Sequence, residues 1–100
     1  MTAKPITIQH LSFQTRDAAR AHFTEMLKRY PLRGTVSGQD HDDLRALLDL
    51  HSEASAKIGP GVDHFEVDFD GFKYRCFYVV RTDMTRIDFS INNCLTGKKR

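Results

Sequence analysis

Three arginines and one phenylalanine lie close together on two predicted β-strands, where they could bind a nucleic acid. With residues 82–85 taken as a four-residue turn, Arg81 lies directly opposite Arg86, and like charges so placed repel each other. A phosphate between them would relieve this repulsion, and Phe77 on the same face could stack on a base. Arg75 shares that face. In the alternative interpretation, a nearby aspartate bridges the arginines and another element covers Phe77.

A lysine precedes a tight glycine turn in the segment Lys57-Ile58-Gly59-Pro60-Gly61. Closely spaced glycines let a backbone approach a phosphate, and a lysine supplies positive charge. The sequence lacks both the GxxxxGKS/T phosphate loop and the GxGxxG dinucleotide fingerprint. The segment therefore indicates either an anion-binding turn that uses Lys57, Gly59 and Gly61, or a turn that only redirects the chain.

Three carboxylates and a lysine on neighbouring predicted strands could form a hydrolytic metal site. Glu66, Asp68 and Asp88 with Lys73 are the side-chain types that a magnesium-dependent nuclease uses. The same predicted pairing places Asp68 opposite Lys73 and Glu66 opposite Arg75, so cross-strand ion pairs explain these residues equally well. A metal-dependent nucleic-acid hydrolase is therefore kept only as a secondary alternative.

The histidines and cysteines show no spacing typical of a metal site or a nucleophile. None of the five histidines belongs to an HExxH or similar pattern, and the two cysteines form no CxxC pair. His51 ends a predicted helix on its apolar stripe, which is typical of a core or capping histidine. Cys76 is predicted to be an inert thiol on the core face. We expect no metal, no cofactor and no catalytic residue.

Two amphipathic helices are predicted in the first half of the chain, after a short β-branched run at Ile6–Ile8 that predicts an edge strand. The second helix begins at the N-cap Asp40, and its apolar stripe runs from Leu44 to His51. The first begins at the N-cap Thr15 and ends before Pro31. Its apolar face consists of Ala19, Phe23, Met26, Leu27 and Tyr30.

Two β-hairpins are predicted in the second half. Asp70-Gly71 is a two-residue turn signal, and pairing outward from it places Val67 opposite Tyr74. The second turn places Tyr78 opposite Phe89. Both turns sort apolar residues onto one face and charged residues onto the other. The expected fold class is α+β, an antiparallel meander of three to four strands with two main helices packed on its apolar face.

The composition describes one small globular domain. The chain has 100 residues, of which 40% are hydrophobic and 28% charged, and this excludes disordered or collagen-like character. Apolar runs stay far below the roughly 20 residues needed to cross a bilayer, so no membrane partner is expected. The net charge of +2 comes from the last three residues, because the remaining chain holds twelve basic and thirteen acidic residues. We therefore expect a domain over residues 1–96 and a basic tail over 97–100.

The two cysteines and the polar first residues favour a reducing compartment. A small secreted domain normally carries four or more cysteines, and residues 1–8 contain neither an apolar leader nor an Arg/Ser-rich transit segment. We expect the cytoplasm of a bacterium.

An ordered string of motifs runs through the second half: His51, then KIGPG at 57–61, YRCFYVVRTD at 74–83, DFS at 88–90, and finally Cys94. This string resembles the DCL family, named after the plant "defective chloroplasts and leaves" proteins. The resemblance covers about residues 40–95 and, more loosely, the predicted helix Phe23–Tyr30. The sequence departs from that family at three positions. Met84 stands where glycine is usual after the aspartate, Ser52 where proline often follows the histidine, and Asn93 where lysine often precedes the last cysteine.

The resemblance implies an RNA context. Plant members of the family act in plastid ribosomal RNA maturation, and a similar domain ends a plant RNA polymerase subunit, whereas the bacterial members form a domain of unknown function. The resemblance implies no catalytic residue. It marks positions without assigning roles to them, namely His51, Lys57, Gly59, Gly61, Arg75, Arg81, Asp83, Asp88 and Ser90.

We therefore expect a noncatalytic RNA-associated module. Its predicted anion-binding residues are Lys57, Gly59, Gly61, Arg75, Phe77, Arg81 and Arg86. The alternatives are a protein-interaction module and the metal-dependent hydrolase, so the expected partner is RNA or a protein.

Overall fold

The computed structural model describes residues 6–8, 11–71 and 74–96. In chain order, the described part contains β1 (Ile6–Ile8), β2 (Leu11–Phe13), α1 (Arg16–Arg29), β3 (Thr35–Val36), α2 (Gln39–Leu48), α3 (Ala54–Ile58), β4 (Val62–Phe69), β5 (Arg75–Arg81), β6 (Arg86–Phe89) and α4 (Ile91–Thr96). β1 and β2 form an antiparallel hairpin, and β3 to β6 form a four-stranded antiparallel sheet in that order. The α+β prediction is confirmed. Within these ranges, each helix is too short or too polar to span a bilayer.

Helices α1, α2 and α4 cover one face of the four-stranded sheet. The core contains Phe23 and Met26 from α1 and three leucines from α2, packed on Phe65, Phe77 and other apolar residues of the strands. α4 adds Cys94 and Leu95. Burial of these apolar side chains is the main force that joins helices to sheet.

The beginning of α1 is as predicted, whereas α2 begins earlier than predicted. The Thr15 side chain accepts a hydrogen bond from the Ala18 N–H and caps α1. The N-cap of α2 is Gly38, two residues before the predicted cap. The Asp40 carboxylate instead accepts hydrogen bonds from the Arg29 guanidinium and the Tyr30 hydroxyl. Asp40 therefore joins the end of α1 to the first turn of α2.

The predicted register of the first hairpin is wrong by three residues. Val67 lies opposite Phe77 and not Tyr74, and Asp68 lies opposite Cys76. The prediction that pairs Asp68 with Lys73 is therefore wrong, and Lys73 itself lies outside the described residues. Because an odd shift exchanges the two faces of a strand, the side chains of β5 that were expected in the core lie on the outer face.

The second hairpin is shifted by one residue. Phe89 lies opposite Phe77, and Val80 lies opposite Arg86. The Arg81 N–H donates to the Thr85 carbonyl, so the connecting loop has three residues and not the four predicted. Its last residue, Met84, has a φ of 74°, the left-handed conformation that closes this kind of three-residue loop.

Three short elements, β2, β3 and α4, were not predicted. β3 lies between α1 and α2 and pairs with Glu66 and Phe65 of β4. Ile91 begins α4 directly after Ser90. The Asn93 N–H donates to the Ser90 hydroxyl oxygen, so the serine before this helix was an N-cap signal in the sequence.

We expect Met84→Gly to stabilise the protein by about 0.5–1 kcal/mol. Glycine adopts the left-handed conformation without the clash of a Cβ atom, and the Met84 side chain, 76% exposed, loses little packing. Urea unfolding followed by circular dichroism measures the change. Met84→Ala is the control, since it keeps the Cβ and should leave stability within about 0.5 kcal/mol. A glycine variant less stable than the alanine variant would contradict this account.

Candidate functional site

The three predicted arginines do not form one surface. Arg75 and Arg81 lie at the two ends of β5, in the row of side chains that includes the buried Phe77. Arg86 lies on the outer face of the sheet, opposite Val80. The expected repulsion between Arg81 and Arg86 does not arise, because the one-residue shift removes their pairing.

The structure overturns the predicted stacking role of Phe77. Its side chain is 0% exposed and stacks on Phe89, with ring centroids 6.1 Å apart. A base therefore cannot reach its ring. The cause is again the register of β5, which turns Phe77 and Val79 toward the helices and leaves Tyr78 on the outer face, beneath the Arg86 guanidinium.

Arg81 joins α3 to the β5–β6 loop. Its Nη1 donates to the Ala56 carbonyl at 3.0 Å and its Nε to the Thr85 hydroxyl at 2.8 Å. The last carbonyls of a helix have no partner within the helix, so the guanidinium satisfies groups that would otherwise need water. Asp83 completes the loop by accepting from the Thr85 N–H. These contacts explain the positions of Arg81 and Asp83 without a ligand.

The predicted glycine turn is fully used within the fold. The Gly59 N–H donates to the Ser55 carbonyl and the Gly61 N–H to the Ile58 carbonyl, so neither amide is available to a phosphate. Gly59 has a φ of +56°, and a Cβ there would lie 3.1 Å from the Cδ of Arg81. The Lys57 ammonium donates to the Asp88 carbonyl at 2.8 Å. The turn therefore ends α3, and the absence of a side chain at Gly59 leaves room for the Arg81 side chain.

His51 lies between α2 and α3. It is buried, and its Nδ1 accepts a hydrogen bond from the Glu53 N–H at 2.9 Å. Burial lowers the pKa of the imidazole below its ordinary value of 6.5, which favours the neutral ring with its proton on Nε2. His51 thus orders the connection between the two helices.

An ion network covers much of the outer face of the sheet. Arg86 lies 3.3 Å from Glu66 and 3.2 Å from Asp68, and His64 lies 3.0 Å from Glu66. Arg33 also reaches Asp68 at 3.4 Å. The two carboxylates of the postulated hydrolytic site are therefore neutralised by cations, and Asp88 is not part of this network. The described ranges contain no group of three side chains able to hold a metal ion.

Neither cysteine is an activated nucleophile. Cys76 is half-buried on the outer-face side of β5 and not in the core as predicted, and burial raises the pKa of its thiol to about 11. Burial likewise raises the pKa of Cys94 to about 12. Both thiols are protonated at neutral pH and therefore unreactive.

A cleft of about 300 Å³ opens beside the point where β6 ends and the chain turns into α4. β6 stops at Phe89, opposite Phe77, so the first residues of β5 extend past it. Helix α1 forms the opposite wall. The lining consists of Arg20, Thr24 and Leu27 from α1, Asp70, Arg75, Cys76 and Phe77 from the first hairpin, and Asp88, Phe89, Ser90 and Ile91 from β6 and α4.

The cleft brings together three residues that the sequence marked separately, namely Arg75, Asp88 and Ser90. Among the residues that the structure describes, Arg75 donates one hydrogen bond, from Nη1 to the Tyr30 carbonyl at 2.7 Å, and a guanidinium has five donors. Asp88 and Ser90 are exposed. The arrangement combines a cation, a carboxylate and a hydroxyl above an apolar floor, which can bind and orient a polar ligand containing a ring.

Sequence reasoning missed the α1 side of this cleft. Arg20 and Thr24 are spaced four residues apart and thus lie on one helix face, beside the apolar stripe. Nothing in the sequence indicated which strand this polar edge would meet. Arg20 pairs with Asp17 three residues earlier, and this pairing within α1 gave no indication that Arg20 would line a cleft.

Comparison with known proteins gives one family and several relatives. Residues 24–95 match the family described as "Protein of unknown function (DUF3223)". The chain is 35% identical over 96 residues to "Protein EMBRYO DEFECTIVE 514" of Arabidopsis thaliana, covering 91% of this chain and 46% of that protein. It is 43% identical over 56 residues to "Protein DCL, chloroplastic" of Solanum lycopersicum, covering 54% of this chain and 25% of that protein. The DCL resemblance is confirmed.

Two further similarities extend this picture. The chain is 34% identical over 73 residues to "DNA-directed RNA polymerase IV subunit 1" of Arabidopsis thaliana, covering 72% of this chain and 5% of that subunit. It therefore spans less than half the length of each of these three relatives. A solution NMR structure of an uncharacterised protein from Rhodospirillum rubrum is similar with a TM-score of 0.85 and 38% identity, covering 93% of this chain and 89% of that one.

We expect Arg81→Met to destabilise the protein by about 1–2 kcal/mol. The methionine keeps the apolar stem but removes the donors to the end of α3 and to Thr85. Urea unfolding measures the loss. Arg45→Met is the matched control: Arg45 forms a solvent-exposed pair with Asp49, four residues later at the C-cap of α2, and its loss should cost less than about 0.5 kcal/mol. Equal costs for the two variants would show that Arg81 does not join the two elements.

Stability should also depend on pH through His64. Hydrogen bonds to Asp63 and Glu66 raise the pKa of His64 above 6.5, so the protonated ring stabilises the folded state. This contribution is complete below pH 6.5 and is lost as the pH rises through the raised pKa of the folded state. The difference in unfolding free energy between wild type and His64→Gln should therefore shrink between about pH 6 and pH 9. A constant difference across this range would disprove the coupling.

Proposed function

The chain belongs to the DUF3223 family, and we propose that it is a noncatalytic module that associates with single-stranded RNA through the cleft between α1 and the end of β6. The proposal rests chiefly on Arg75. This arginine lines the cleft, is exposed, and uses a single donor on a neutral carbonyl, so its charge is available to a phosphate.

Arg75 differs from most other arginines because it forms no ion pair with any residue that the structure describes. Among the residues that the structure describes, Arg20, Arg29, Arg33, Arg45 and Arg86 each pair with a carboxylate. A cation that is already paired gains less from a phosphate, because it must first give up its carboxylate. Lys57 and Arg81 also donate to neutral oxygens, but both hold α3 in place. Two arginines line the cleft, and Arg20 already pairs with Asp17. Arg75 is therefore the cation of the cleft that is best placed to bind an anion without loss of structure.

The relatives supply the nucleic-acid context. One protein similar to this chain over 73 residues is a subunit of a DNA-directed RNA polymerase. The resemblance to the DCL family implies an RNA context as well, and a chloroplastic DCL protein is similar to this chain over 56 residues. Burial raises the pKa of the Cys76 thiol to about 11, so the cysteine of the cleft is not an activated nucleophile, which supports a binding role.

A protein-interaction module is the second candidate, favoured by an exposed apolar group beside the cleft. Leu32, Phe69 and Tyr74 are 38%, 43% and 64% exposed. Phe69 ends β4, and Tyr74 directly precedes β5. Their chain neighbours Asp70 and Arg75 line the cleft. Aromatic residues are enriched at protein interfaces relative to the rest of the protein surface.

Arg75→Gln should weaken the binding of a single-stranded RNA of about ten nucleotides. The glutamine keeps hydrogen-bonding capacity but removes the charge, so one phosphate contact is lost. Fluorescence anisotropy over a series of salt concentrations measures this directly: the slope of log K against log salt should become shallower by about 0.7. Amide NMR shifts at Arg75, Asp88 and Ser90 on adding RNA to the wild type would locate the contact.

Arg45→Gln is the matched control, because Arg45 is an arginine outside the cleft whose loss also lowers the net charge by one. It should leave the salt slope unchanged. An identical loss of affinity and slope in both variants would mean that RNA responds only to overall charge. Absence of salt-sensitive NMR shifts with wild-type protein would reject RNA association and favour the protein-interaction module.

A further inference from the structure

Building on the proposed RNA association, we infer that the cleft holds one unstacked base and prefers a base with an exocyclic amino group, cytosine over uracil, with Asp88 as the residue that reads it. The inference concerns specificity at the same site. It rests on the volume of the cleft, on the position of Asp88 at its edge, and on the chemistry of a carboxylate.

The size and lining of the cleft suit one ring system. A volume of about 300 Å³ lies at the lower end of the range for small-molecule sites and is too small for a stacked run of bases. Its accessible apolar surface comes mainly from Leu27 and Ile91, which are only partly buried, because Phe89 is 3% exposed. A base removed from its stack would cover this surface, as bases do in other single-strand binding proteins.

Asp88 has acceptor capacity to spare. Its main-chain carbonyl takes the hydrogen bond from Lys57, but its carboxylate joins no ion pair or hydrogen bond among the residues that the structure describes. Glu66 and Asp68, the neighbouring acidic residues on the outer face, both contact Arg86. Among the described strand residues, Asp88 is therefore a carboxylate without a cation partner. It lies opposite Tyr78, so its side chain borders the cleft from the outer face of the sheet.

A carboxylate at this position discriminates between pyrimidines. An ionised carboxylate only accepts hydrogen bonds, and the N4 amino group of cytosine donates one, whereas O4 of uracil is itself an acceptor. Uracil would place two acceptors against each other in a partly desolvated site, which is unfavourable. Arg75, at the start of β5 and in the row of side chains that faces the helices, supplies the cation for the phosphate of the same nucleotide, and the Ser90 hydroxyl can donate to a sugar or base oxygen.

The position of Asp88 in the fold supports a binding role over a structural one. It lies opposite Tyr78 near the end of β6, three residues before α4 begins, and its side chain is exposed. The contacts that hold this end of β6 come from Phe89, which packs on Phe65 and Phe77, and from the main chain of Asp88. A change confined to the Asp88 carboxylate should therefore leave the fold intact.

Affinities of fluorescent oligo(C) and oligo(U) of about ten nucleotides test the inference with the full chain at moderate salt. Wild type should bind oligo(C) about five to ten times more tightly than oligo(U). Asp88→Asn should bring this ratio close to one, because an amide both donates and accepts and so serves either base. Cytidine and uridine monophosphates, added separately, show whether a single nucleotide suffices: cytidine monophosphate should shift the Ser90 amide more than uridine monophosphate does.

Asp42→Asn is the matched control, since Asp42 is an exposed aspartate on α2 outside the cleft and its loss makes the same change in net charge. This variant should bind both oligonucleotides slightly more tightly and keep their ratio. Wild-type protein that binds oligo(C) and oligo(U) equally would overturn the base preference while RNA association stands. A ratio that persists in Asp88→Asn would assign the preference to another residue, and failure to bind either oligonucleotide would reject the proposed function itself.

Discussion

Burial of one face of β5 against the helices is the interaction on which the rest of the structure depends. Phe77 and Val79 are completely buried, and β5 is one of the two inner strands of the four-stranded sheet. Phe77 lies between Val67 on β4 and Phe89 on β6, so its burial aligns both neighbouring strands at once. Once this face is directed at α1 and α4, the alternation of side chains along a strand decides the place of every other residue of β5.

The positions of the charged residues follow from that choice. Arg86 falls on the outer face, where Glu66 and Asp68 neutralise it, and Arg81 falls at the end of the buried row, where it reaches the carbonyls of α3. Most of the cations that the sequence offered for a ligand thus stabilise the fold instead. Arg75 differs because it lies at the opposite end of β5, where β6 has already ended and the sheet edge opens into the cleft.

The cleft itself depends on several elements that meet at one point. β6 ends at Phe89, Ser90 caps α4, and the polar edge of α1 faces the gap between them. Each of these features has a separate structural cause, namely a short strand, an N-cap and an amphipathic helix. Their meeting leaves Asp88 as a carboxylate that no cation of the outer-face network neutralises, beside an arginine with most of its donors available.

Local signals in the sequence predicted part of this structure correctly. Thr15 and Pro31 bound α1 as expected, the stripe from Leu44 to His51 is buried, and the DCL-like motifs identified the family. These features depend on residues close together in the chain or on the ordered motifs themselves. The register of the hairpins was less accessible, because residues 76–80 are Cys-Phe-Tyr-Val-Val and apolar on both faces. A continuous apolar run fits either alternation, so the turn length alone had to decide, and it was misjudged.

The sequence by itself determined the α+β class, the two main helices, the family and the residue types that could carry function. Only the tertiary structure decided which face of β5 is buried, that Arg81 and Lys57 hold α3, and that Arg75, Asp88 and Ser90 share a cleft with α1. The physical reason is the range of the interactions. Caps and helical stripes arise within a few residues, whereas strand register and the neutralisation of a charge depend on partners that folding brings from distant parts of the chain.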